Sequence, residues 1–155
     1  MKDPNDRPGH LARRFQQIAV AVFHAEVAAA GFDLTPVQYA ALVEIRADPG
    51  LDQATLAGRI AFDRATTTGV VDRLEKKGHL VREVSGADRR ARVLRITAAG
   101  RDLLDRIEPA VSAAQRIMLS GLSEAEAAEF MRLLRKAVEG SNELSRAPRR
   151  ITDAG

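Results

Sequence analysis

The chain has 155 residues, of which 45% are hydrophobic and 29% charged, and a net charge of only +3; by length this is one soluble domain, or one small core with an added helical part, with no apolar run near the roughly 20 residues that cross a bilayer. It contains no cysteine, which removes disulfides, thiol redox sensing and thiolate metal sites together. The polar opening MKDPNDRPGH lacks an apolar signal core, so a cytoplasmic address is expected.

Leu11, Phe15, Ile18 and Val22 mark one helical face, and they predict a long first helix over about 9–30 that stops at Gly31. In the next segment Thr35 is placed as N-cap, Pro36 at the first helical position and Gln38 to complete a capping box, with Pro49-Gly50 as the stop. LDQATLAGRIAF is a short helix with Leu56 and Ile60 inward, and it runs with little connection into DRATTTGVVDRLEKKG. Two short helices so joined predict a helix-turn-helix.

After Gly78 the period becomes nearly two. Leu80, Arg82 and Val84, then Arg92, Leu94 and Ile96, flank the turn residues SGADRR, which predicts a hairpin with a basic tip. Thr97 is placed to cap a further helix, expected to bend near Pro109. The last helix is expected to begin at Ser123, with Glu126 completing a capping box, and to bury Ala127, Phe130, Leu134 and Ala137. The expected fold is mainly α with a small β-hairpin wing: a winged helix-turn-helix over 33–99, framed by dimerisation helices at 9–31 and 100–140 and followed by a basic, flexible tail, 141–155.

Charge is unevenly spread. From Arg59 to Arg101 there are eleven Lys/Arg against five Asp/Glu, a balance of +6, so the remainder carries −3. A basic segment on a mildly acidic chain fits a nucleic-acid surface or, more simply, a solvated charged face. Within it, the helix after Asp63 turns Thr67, Val70, Val71 and Leu74 to one side and Ala65, Thr68, Gly69, Asp72 and Lys76 to the other. Three threonines and a glycine cost this helix about 2 to 3 kcal/mol relative to alanine. A recognition helix in a major groove accounts for them: small residues allow close approach, threonine offers a hydroxyl and a methyl, and Arg64 and Arg73 reach phosphate or guanine. A core helix with threonine as filler is the plainer alternative. At the hairpin tip, Asp88 is placed to orient the Arg90 guanidinium in a minor groove, with Arg89 and Arg92 on phosphates; a solvated turn is the alternative there.

Asp88-Arg89-Arg90 followed by Leu94-Arg95-Ile96-Thr97, together with TTTGVVDRLEKKGHLVRE, resembles the MarR family of bacterial transcription regulators over residues 35–100. The resemblance implies a homodimer joined by its first and last helices, bound to a pseudo-palindromic double-stranded DNA operator with half-sites one helical turn apart. It further implies DNA contacts from Arg64, Thr66, Thr68 and Arg73 on the helix and Arg90 on the wing, with Asp88 orienting Arg90. Family members commonly release DNA on binding a small phenolic or aromatic carboxylate. His10 and Arg14 beside Phe15 and Ile18, with Tyr39 opposite, are candidates to receive one; equally, His10 and Arg14 suit a polar part of the dimer interface and Tyr39 a core position.

No phosphate loop, nucleophile elbow or metal-ligand spacing is present, and His10, His24 and His79 are dispersed, so neither an enzyme nor a metal or other cofactor is expected. An RNA-binding winged helix is disfavoured by five Phe, one Tyr and no Trp, and a protein-binding one has no need of an arginine tip. The expected function is a homodimeric repressor released by an aromatic acid or phenol; the alternatives are a winged-helix regulator with no small ligand, or an activator.

Overall fold

The structure, a computed structural model, describes residues 3–145 and Pro148. Six α-helices and three short strands follow one another as α1 (Pro8–Ala29), α2 (Pro36–Ala47), β1 (Leu51–Asp52), α3 (Gln53–Arg59), α4 (Arg64–Lys76), β2 (Leu80–Val84), β3 (Arg92–Ile96), α5 (Ala98–Met118) and α6 (Glu124–Gly140). Short 3-10 turns lie at Pro4–Asp6 and Asn142–Leu144. The second of these falls in the segment expected to be flexible from residue 141; residues 146–147 and 149–155 of that tail lie outside the described residues.

Two compact units emerge, Met1–Pro36 with Ile107–Ala128, and Val37–Arg106 with Glu129–Gly155. In the first, the buried apolar residues are Phe23, Val27 and Leu34 with Ile107, Val111 and Ala114. The second contains the helix-turn-helix and the wing. There α4 turns Thr67, Val70, Val71 and Leu74 inward, as its apolar period requires. Ala41, Leu42 and Ile45 of α2, Leu56 and Ala57 of α3, and Leu51, Leu80 and Leu94 of the strands are likewise buried.

The wing is an antiparallel hairpin in which Leu80 pairs with Ile96 and Val84 with Arg92. A third strand, β1, joins its other edge through Leu51 opposite Leu94 and Asp52 opposite Val93. At two residues β1 is too short to show a period of two in the sequence. The capping box expected at the start of α6 forms: Ser123 N–H donates to Glu126 Oε2 at 2.8 Å and Glu126 N–H to Ser123 Oγ at 3.3 Å. Pro109 is accommodated inside one continuous α5. The stripe on α6, by contrast, is not buried within the chain: Ala127 and Phe130 are half-buried, Leu134 and Ala137 exposed.

The start of α5 is knotted to the end of α4. Thr97 Oγ1 donates to the Gly78 carbonyl at 2.7 Å and accepts from Gly100 N–H at 3.1 Å, while Thr97 N–H donates to the His79 carbonyl at 3.1 Å. Burial, and then the charge of Lys77, hold the His79 imidazole below its usual range, so it adds no charge to the basic lobe at neutral pH. At Gly100 a Cβ would overlap the His79 carbonyl oxygen and lie 2.7 Å from Ile96 Cγ1. Glycine within a helix ordinarily costs stability relative to alanine, but here that sign reverses. Gly100→Ala is expected to destabilise the protein by about 1–3 kcal/mol, the usual cost of overpacking, which urea denaturation of the two proteins would measure.

Candidate nucleic-acid interface

The outward face of α4 is set by its cap. Asp63 accepts from Thr66 N–H at 2.8 Å and from Thr66 Oγ1 at 3.0 Å, and these bonds, the main-chain one foremost, hold its carboxyl below the usual range. Thr67 Oγ1 donates to the Asp63 carbonyl at 2.8 Å and Thr68 Oγ1 to the Arg64 carbonyl at 2.9 Å. All three threonine hydroxyls are therefore spent within the chain, which offsets part of their poor helix propensity. The protons of Thr66 and Thr68 are committed to Asp63 and Arg64, so what these two side chains leave for an outside partner is a methyl group and unshared electron pairs.

Arg64, Ala65, Thr66, Thr68, Asp72, Arg73 and Lys76 are exposed along this face. Gly69 lies among them, and a Cβ built there meets nothing within 4 Å. No packing demand inside the chain calls for glycine at this position.

The wing tip is held by its backbone. Asp88 Oδ1 accepts from the main-chain N–H of Arg90 at 2.9 Å, the Asp88 carbonyl from Ala91 N–H at 3.0 Å, and Ser85 Oγ from the N–H groups of Ala87 and Asp88 at 3.3 and 3.4 Å. Asp88 thus fixes the path of the chain at Arg90 and does not grip its guanidinium, as the sequence had suggested. An aspartate two residues ahead of its partner reaches the amide in an Asx turn more readily than the far end of a long side chain.

The arginines of the lobe divide into two sets. Arg46 pairs with Asp105 at 3.0 Å, Arg59 with Asp48 at 2.8 Å and Glu44 at 3.5 Å, Arg95 with Glu83 at 2.7 Å, and Arg101 with the Ile96 carbonyl at 3.1 Å. Arg82 bonds Asp72 and lies 3.5 Å from Glu75 Oε1, and its main-chain N–H donates to Glu75 Oε2 at 3.1 Å. Among the described residues, the side chains of Arg64, Arg73, Lys76, Arg89, Arg90 and Arg92 have no such partner, and all six lie on α4 or the wing. Five of the six were singled out from the sequence; Lys76 was placed on the outer face only. The Arg82 bridge from β2 to α4 was missed, although an arginine between Leu80 and Val84 on one side of a strand is the signal that a carboxylate must face it.

The residues proposed for a small ligand stand on two elements. His10, Arg14, Phe15 and Ile18 are on α1, with His10 and Phe15 half-buried and Arg14 and Ile18 exposed, and Tyr39 is half-buried on α2. Among the described residues no group of His, Asp and Glu is arranged to hold a metal ion, and no helix is long and apolar enough to cross a membrane.

A helix-turn-helix whose second helix is basic, followed by a hairpin with an arginine tip, defines a winged-helix protein. Residues 32–91 match the MarR family model. The chain is 36% identical over 137 residues to the putative transcriptional regulatory protein for the hcr operon of Thauera aromatica, covering 88% of this chain and 78% of that one. It superposes on the PcaV transcriptional regulator of Streptomyces coelicolor in complex with its natural ligand with a TM-score of 0.81 at 33% identity, over 91% of this chain and 98% of that one. For BpsR of Bordetella bronchiseptica, whose DNA binding is regulated by 6-hydroxynicotinic acid, the TM-score is 0.83 at 29% identity, over 90% and 98%. The chain belongs to the MarR family of transcription regulators, proteins that regulate genes and are not enzymes.

Gly69 separates folding from binding. Gly69→Ala is expected to raise stability by about 0.5–1 kcal/mol and, because the added methyl stands where the helix would approach base edges, to weaken binding to duplex DNA. Urea denaturation and fluorescence anisotropy on one preparation measure both; unchanged binding would place the α4 backbone away from the groove floor.

Proposed function

We propose that the protein is a homodimeric repressor that lays α4 in the major groove and the wing tip in the minor groove of a pseudo-palindromic operator, and that a small aromatic acid or phenol releases it. The observation that carries the DNA-binding half is the distribution of charge within residues 37–106: Arg46, Arg59, Arg82, Arg95 and Arg101 are bonded within the chain, while Arg64, Arg73, Lys76, Arg89, Arg90 and Arg92, on α4 and the wing, have no side-chain partner among the described residues. Arg64 and Arg73 flank the helix face, with Thr66 and Thr68 between them meeting bases. Arg90 enters the minor groove from a backbone that Asp88 fixes, and Arg89 and Arg92 take phosphates. Support for a dimer comes from the apolar residues left bare on the terminal helices, Leu11 and Ile18 on α1 and Met131, Leu134 and Val138 on α6, since so large an exposed apolar surface calls for a partner.

Support for the ligand is the likeness to PcaV and BpsR, both regulators that bind small molecules. His10 and Arg14 sit one turn apart on α1, a suitable pairing for a carboxylate, with Phe15 and Ile18 of the same helix offered as apolar neighbours. An effector of this kind must bind the form that has low DNA affinity more tightly, because equal affinity for both forms shifts nothing.

Two measurements test the reading. Anisotropy titrations on duplexes from the upstream intergenic region, over a salt series, are expected to give sequence-dependent binding whose logarithm falls with log salt by roughly 0.9 per phosphate contacted. Arg89→Ala should flatten that slope, while Arg90→Ala should cost more on the operator than on random duplex. Binding indifferent to sequence and to Arg90 would sink it. For the effector, calorimetry with a panel of aromatic acids is expected to find one that binds, lowers operator affinity and loses affinity in Arg14→Ala; a panel in which none binds removes the ligand half and leaves the regulator without a small-molecule effector.

A further inference from the structure

We infer that Gln53 is a positioning residue for sequence readout: its side-chain amide fixes Thr68 as a methyl-bearing acceptor, so that Thr68 meets thymine through its methyl and never donates to a base. The inference rests on the DNA-binding reading above and assigns the chemistry of one contact within it.

Gln53 is the first residue of α3, directly after the cap Asp52, whose carboxylate accepts from Thr55 N–H at 2.8 Å and Thr55 Oγ1 at 2.6 Å. From there its Nε2 crosses to α4 and donates to Thr68 Oγ1 at 2.8 Å. A hydroxyl has one proton and two electron pairs. The proton of Thr68 goes to the Arg64 carbonyl at 2.9 Å, and Gln53 occupies one electron pair. Threonine in a helix divides between two χ1 rotamers; an amide donor aimed at Oγ1 selects one of them, and with it the direction of the methyl. Thr68 remains exposed, and Gln53 and Thr68 together line an open groove with Asp72, Glu75, Arg82 and Arg92.

What Thr68 offers a base is thus a methyl group and one acceptor pair. Guanine shows only acceptors, N7 and O6, in the major groove, so an oxygen with no proton to give is repelled there. Thymine presents its C5-methyl, which an apolar contact satisfies. Were the Gln53 amide absent, only the bond to the Arg64 carbonyl would hold the Thr68 rotamer; both helical rotamers of threonine can bond a carbonyl of the preceding turn, so the methyl would lose its fixed direction and the preference would fade.

The test begins with an operator obtained by selection from random duplexes, on which the wild-type protein must bind specifically. Each thymine of a half-site is then replaced singly by deoxyuridine, which lacks the methyl. One position per half-site is expected to weaken binding by about fourfold, the value of one buried methyl-sized group. Thr68→Ser should abolish that difference and Thr68→Val should keep it. Gln53→Met, which keeps the length of the side chain and removes the amide, should bring the thymine-to-uracil ratio close to one while leaving random-duplex affinity and salt slope unchanged. A Gln53 that merely braced α3 would, when replaced, weaken all duplexes alike and spare the ratio; Gln53→Ala gives a second reading of the same quantity. The proposal is overturned if the ratio survives both Gln53 substitutions, or if no thymine in the operator responds to uracil in the wild type. Absence of any specific duplex binding by the wild type would instead be seen at the selection step, and would remove the regulator reading together with this one.

Discussion

The bridge from Arg82 to Asp72 and Glu75 is the interaction on which the presentation of the basic face depends. It spans the two elements that must act together, β2 of the wing and α4 of the helix-turn-helix. Its second effect is electrostatic. Asp72 lies on the outward side of α4, where an uncompensated carboxylate would repel a phosphate backbone; Arg82, set against it and Glu75, compensates one of the two negative charges from within the chain. The Arg82 Nε is buried with no partner, a cost that two carboxylates on the same guanidinium are placed to offset.

A net charge of +3 on the whole chain says little about a partner, because the useful quantity is which charges are already spoken for. Exposed ion pairs contribute about 0–1 kcal/mol each to stability, so pairing Arg46 or Arg95 does not hold the lobe together. What such pairing does is withdraw those cations from competition for an external anion. The six left over on α4 and the wing then form a patch with one sign, which attracts phosphate from a distance and is sensitive to salt.

Much of this was legible in the sequence. The inward face of α4, the Asp63 cap, the hairpin and the Ser123–Glu126 box follow from period and capping chemistry, signals carried by residues within four positions of one another. Strand β1 was hidden because two residues have no period, and it is defined only by its partner Leu94, over forty positions away. Asp88 and Thr68 share a feature that residue type does not reveal: where the sequence suggested a hold on the Arg90 guanidinium and a hydroxyl facing a base, the nearest main-chain group had prior claim. Asp88 takes the amide of Arg90, and Thr68 gives its proton to the carbonyl of Arg64. Gln53 was passed over because its bond to Thr68 joins two helices and leaves no mark in the spacing of either. The α6 stripe was read correctly as apolar, but apolarity names a face to be covered, and the single chain does not cover it.

The division of labour on α4 and the wing bears on how such a surface changes over evolutionary time. The side chains of Arg64, Arg73, Arg89, Arg90 and Arg92 have no bonded partner among the described residues, so on the proposed reading replacing them alters the attraction for DNA at little cost to folding. Asp63, Thr67, Arg82 and Thr97 hold the scaffold, and their loss is felt in the fold first. On the proposed reading, affinity is open to gradual tuning, one arginine at a time, whereas the Thr68 side chain is tied to two internal hydrogen bonds and any base preference it carries shifts when Gln53 or the α4 backbone shifts with it. A lineage built on this framework would drift readily in strength of binding and in steps in what it recognises.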